Sequence, residues 1–60
     1  MMGDELLDEA DTAARFKVPA ATLRQWRYLN QGPPYFKIGR HVRYSATDLT
    51  AWLSEHRRAG

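Results

Sequence analysis

Apolar positions fall into helical spacing in three places along the chain and into alternation in one. In "LLDEADTAARF" the alanines at 10, 13 and 14 form a narrow stripe behind Asp8, a helix-capping residue, with acids in the first turn that suit the helix dipole. The spacing predicts a first helix over residues 8–16, with Leu6 and Leu7 closing over its entry as a hydrophobic staple. "AATLRQWRYLNQG" sets Leu23 and Trp26 three apart and predicts a second helix over 20–29. Its inner face is Leu23 and Trp26, and its outer face is Ala21, Arg24, Gln25 and Tyr28. Pro19 fits a helix start but brings no capping oxygen; Gly32 ends the helix, and Pro33 and Pro34 forbid its continuation. "SATDLTAWL" has capping-box spacing, with Asp48 where Glu or Gln is usual, then Leu49, Trp52 and Leu53. That predicts a third helix over 46–57, with Arg57 and Arg58 at its negative dipole end.

Between the second and third helices, "PYFKIGRHVRYS" reads as strand, turn, strand. A two-residue Gly39-Arg40 turn would mix apolar and charged residues on each face. A three-residue loop, Gly39-Arg40-His41, instead pairs Ile38 with Val42 and Phe36 with Tyr44 on one face, and sets Lys37 against Arg43 on the other. The apolar face favours the longer loop. Lys37 opposite Arg43 costs roughly 0.2–1 kcal/mol, a repulsion that a phosphate backbone would turn into attraction.

Sixty residues predict one domain over 1–60 with a small core, and a flexible acidic N-terminus over 1–5. There is no cysteine, so thiolate metal sites and disulfides are excluded; only His41 and His56 remain as soft ligands, and neither a metal nor a cofactor is expected. No apolar run reaches the roughly 18 residues of a membrane span, and the expectation is a soluble cytoplasmic protein. Charge is segregated. Residues 1–14 carry Asp4, Glu5, Asp8, Glu9 and Asp11 without a base; residues 15–45 carry Arg15, Lys17, Arg24, Arg27, Lys37, Arg40 and Arg43 without an acid. A block of +7 after one of −5 points to a polyanionic partner, unless the two simply neutralise each other across the folded surface.

Helix, short turn, helix, hairpin, closing helix is the layout of a winged helix-turn-helix, a mainly α fold with a β-hairpin. The stretches "FKVPAATLRQW", "GPPYFKIGRHVRYS" and "DLTAWL" resemble the excisionase and AlpA-like branch of the MerR-type DNA-binding superfamily, over residues 6–53. One departure is Pro19 at the position where that family often has Ser or Thr. The resemblance implies a phage or integrative-element protein, a recombination directionality factor. Such proteins bind attachment-site DNA as several neighbouring copies, bend it and assist an integrase in excision.

For that function the second helix supplies the expected readers. Arg24 suits a bidentate contact to guanine and Gln25 one to adenine; Ala21 or Thr22 suits a thymine methyl, and Arg27 and Tyr28 suit phosphate. Lys37, Arg40, His41 and Arg43 are the wing contacts, with Arg40 at the tip. Arg15 and Lys17, around the first interhelical turn, are a possible backbone clamp. Each of these charged residues also has an ordinary reading as solvated surface, whereas Trp26 and Trp52 sit at core spacing. Nothing in the chain forms a catalytic constellation, so no enzyme is expected. An AlpA- or MerR-like transcription regulator would use the same surfaces; brevity favours the excisionase, since such regulators usually append a dimerising helix or effector domain. A rival of another kind is a protein-binding adaptor, docked through the acidic N-terminus or the apolar flank of the third helix.

Overall fold

A computed structural model of the chain describes residues 4–58. Its elements run β1 (Leu6–Leu7), α1 (Glu9–Phe16), α2 (Ala20–Tyr28), β2 (Phe36–Ile38), β3 (His41–Ser45) and α3 (Ala46–Glu55). The three strands form one antiparallel sheet in the order β1-β3-β2, giving a winged helix-turn-helix in which the β2–β3 hairpin is the wing.

Each helix begins where the capping chemistry places it, except at Pro19. The Asp8 carboxylate accepts from the Asp11 amide at 2.7 Å and Ser45 Oγ accepts from the Asp48 amide at 3.1 Å, whereas Pro19 stands at the start of α2 with no side-chain cap. The buried face of α1 is Thr12 and Ala13 rather than the expected alanine stripe; Ala10 and Ala14 are exposed. Thr12 tolerates full burial because its hydroxyl donates to the Asp8 carbonyl at 2.8 Å. α1 ends with Lys17 in the left-handed region, its amide bonded to Ala14 O and the Val18 amide to Ala13 O. Asn30 plays the same part for α2, with Asn30 N bonded to Arg27 O and Gln31 N to Trp26 O, so Gly32 is not the terminator expected from the sequence. α3 stops at Glu55, earlier than expected. Arg57 and Arg58 lie beyond it; His56 caps the end through its amide, which donates to the Trp52 and Leu53 carbonyls, and its ring stacks on Trp52 at 3.8 Å between centroids.

Leu7, Ala13, Leu23, Tyr44 and Leu49 form the core, drawing one or more residues from β1, α1, α2, β3 and α3. Burying a leucine such as Leu23 contributes about 1.5–3 kcal/mol, so Leu7, Leu23 and Leu49 are each a large share of the stability of a chain this small. At its margin Phe16 stacks on Trp52 at 5.6 Å and Trp26 meets Trp52 at 5.4 Å, which places both tryptophans in packing roles.

Two expectations about the strands are corrected. Leu6 and Leu7 are a strand, not a staple: Leu6 pairs with Ser45 and Leu7 with Tyr44. Of the segment 1–5 expected to be flexible, residues 1–3 lie outside the described residues; after them, Asp4 accepts from Ser45 Oγ and from both the amide and hydroxyl of Thr47, and Glu5 O accepts from the Ala46 amide. The hairpin register is the other correction: Phe36 opposes Arg43, Lys37 opposes Val42 and Ile38 opposes His41, across a two-residue Gly39-Arg40 turn. Gly39, at φ 63°, supplies the positive φ that such a turn takes at its first central position. Lys37 therefore does not face Arg43, and the cross-strand repulsion is absent. The hairpin extends past the core: Phe36 and Ile38 remain 48% and 53% exposed, so burial exerts little control over register there.

Candidate nucleic-acid interface

The short turn between α1 and α2 packs the two helices against each other and leaves the far side of α2 open. Ala21, Arg24, Gln25 and Tyr28 are all exposed on that side, Tyr28 at 83%, while Thr22 is half-buried at its edge. The four positions share one face because they lie three, four and seven apart on the helix.

Arg24 and Arg27, three apart, both reach Glu9 at the start of α1. Arg27 Nη2 donates to Glu9 Oε1 at 2.7 Å and Arg24 Nη1 to Glu9 Oε2 at 2.8 Å. The two arginines differ in exposure, 16% for the Arg27 side chain against 59% for that of Arg24. Arg27 is further fixed by a 2.7 Å hydrogen bond from Nη1 to the Tyr44 hydroxyl, and its guanidinium lies 5.8 Å from the centre of the Tyr35 ring. Its donors are thus committed to the fold, which weighs against the phosphate contact expected of it. Desolvation pushes the Glu9 carboxyl up; hydrogen bonds from Arg27 and Arg24, with their charges, outweigh it and hold the group below its ordinary value.

An open cleft separates this network from the wing. Asp8, Glu9, Ala10 and Arg27 line one side, and Arg40, His41, Val42 and Arg43 the other. Arg40 occupies the turn, and His41 belongs to β3 rather than to the loop. Arg43 is half-buried, with Nη1 donating to the Val42 carbonyl at 2.8 Å. Lys37 projects from the opposite face of the hairpin to Arg43 and takes no part in the cleft. Arg15 lies 3.9 Å from Glu5 in an exposed pair, and Lys17 is exposed at the end of α1. Among the described residues, no ion pair involves Lys37, Arg40 or Arg43.

The sequence of a family described as a helix-turn-helix domain matches residues 6–57, from β1 to just past the end of α3. The chain belongs to this helix-turn-helix domain family. No curated protein matches it. The family is one of small DNA-binding domains, so the surfaces described above are those of a helix-turn-helix domain, with α2 as its second helix. Among the described residues, no helix is long and apolar enough to cross a membrane.

Sequence reasoning about the helix-turn-helix domain missed Glu9, Tyr35 and Tyr44 as partners of the α2 arginines. In the sequence Glu9 stands only as a dipole partner of its own helix. The available signal was the spacing of Arg24 and Arg27, which places two cations side by side where one carboxylate from the preceding helix can serve both.

Proposed function

We propose that the domain binds double-stranded DNA sequence-specifically as an excisionase-type recombination directionality factor, with α2 in the major groove and the wing against the adjacent backbone. The observation that supports this reading is the cleft in which Arg40, His41 and Arg43 of the wing lie across from Arg27 of α2 and from Asp8, Glu9 and Ala10 at the start of α1, while Arg24 and Gln25 stay exposed on the open side of α2. Arg24 reads guanine and Gln25 adenine, Ala21 or Thr22 meets a thymine methyl, and Tyr28 offers its hydroxyl to a phosphate. Arg40 and Arg43 grip the backbone, with His41, Lys37 and Lys17 as outer contacts. Arg27 acts from within, holding α2 to α1 and β3. One module makes few base contacts, so several copies on repeated attachment sites, together with an integrase, supply the specificity of excision.

Binding measured against salt tests the wing. Arg40→Ala and Arg43→Ala should each weaken binding similarly on all sequences and flatten the log–log salt slope by about one unit. Wild-type affinity for both variants at about 0.15 M salt would remove the wing from the interface. Footprinting over an attachment region, with and without integrase, tests the role. Protection of neighbouring repeats that strengthens with integrase supports excision, whereas protection of a promoter alone, indifferent to integrase, points to the AlpA-like regulator.

A further inference from the structure

Glu9 is an acid at the edge of a surface that faces a polyanion. For the fold alone its bond to the largely buried Arg27 would be enough, because exposed ion pairs such as the one with Arg24 add little to stability. The second carboxylate oxygen nevertheless holds Arg24, the most exposed cation of the network.

Which nitrogen it holds matters. Nη1 is the guanidinium nitrogen on the Cδ side, so a bond there leaves the opposite edge, Nε–H and Nη2–H, to point away from Glu9. Those two parallel donors are one of the pairs that match O6 and N7 of guanine. A free arginine on a helix surface visits many rotamers and loses that freedom on binding. Glu9, itself fixed by Arg27 and through it by Tyr44, removes much of that freedom beforehand. Two arginines around one carboxylate also leave the group net positive, so the acid does not repel DNA.

We infer that Glu9 is a specificity-determining positioning residue: it orients Arg24 so that the Nε–Nη2 edge meets a guanine in the major groove. The inference rests on the proposal that α2 reads DNA, and the two fail differently.

The test uses the full chain and selection from a library of randomised DNA duplexes. Wild type, Arg24→Ala, Glu9→Gln, Glu9→Asp and the Glu9→Gln/Arg24→Ala double variant are compared position by position. Arg24→Ala identifies its base by losing the preference there. Glu9→Gln should lose preference at that same position by about 3- to 10-fold, a part of the roughly 5- to 150-fold that a bidentate base contact commands, while the double variant loses no more than Arg24→Ala alone. Glu9→Asp keeps the charge but is one methylene too short to span both arginines. It should lose preference at the same position, which separates positioning from net charge and supplies the answer if Glu9→Gln does not fold. Full preference in folded Glu9→Gln or Glu9→Asp while Arg24→Ala loses it overturns the role of Glu9 alone. Selection of the same sequence by Arg24→Ala and wild type removes α2 as the reader, and the role of Glu9 falls with it.

Discussion

Gly32 leaves no room for a side chain. A Cβ there would lie 2.9 Å from both Cβ and Cε3 of Trp26, and its φ of 85° is itself unfavourable for any other residue. Gly32→Ala should therefore lower unfolding stability by about 1–3 kcal/mol, since strain and overpacking act together; chemical denaturation showing a loss below about 0.5 kcal/mol would mean that the turn relaxes freely. The sequence marked Gly32 as important but for another reason, because a glycine after a helix reads as its terminator. Asn30 takes that position, as asparagine tolerates the left-handed region better than most residues. The partners of Arg27 were less legible still. Glu9 and Tyr44 lie 18 and 17 residues away along the chain, and no local pattern announces a pairing at that distance.

Helices were legible and strands less so, for a physical reason. α1, α2 and α3 each carry a cap or a breaker at their ends and an apolar face that the core enforces; α1 starts one residue later, with Asp8 as its cap, and the far ends shift by one residue for α2 and two for α3. β1 has two residues, too few for any period to show. The hairpin register followed turn chemistry, Gly39 with its positive φ, over the purity of a face that the core does not cover. β1 is continued by a clasp in which Asp4 binds Ser45 and Thr47 at the start of α3, and these hydrogen bonds, that of Ser45 foremost, hold the Asp4 carboxyl below its ordinary value. Asp4→Asn should loosen this junction without unfolding α3. Hydrogen exchange would show it as faster exchange of the Thr47 amide, with the Leu53 amide unchanged; equal rates for Thr47 in both proteins would mean the clasp adds nothing to the helix start.

Across the whole molecule, the acidic start and the basic middle neutralise each other only in part. Glu9 takes Arg24 and Arg27, Glu5 lies near Arg15, and among the described residues Lys37, Arg40 and Arg43 of the wing join no ion pair. Glu9 and Asp4 are both held below their ordinary values of 4.5 and 3.8, so each contributes stability that is full above that value and lost as pH falls through the lower value of the folded state. Thermal melting should stay level from neutral pH to about 4.5 and then decline, and Glu9→Gln should show a shallower decline; identical acid limbs would remove Glu9 from the cause. The free edges of the sheet bear on how this domain behaves at high concentration. Both outer strands are very short, and β2 is preceded by Pro33 and Pro34 and carries Lys37. Such an edge offers too few backbone groups to template another strand, so Phe36 and Ile38 stay half-exposed on the wing without inviting aggregation into continuous sheets.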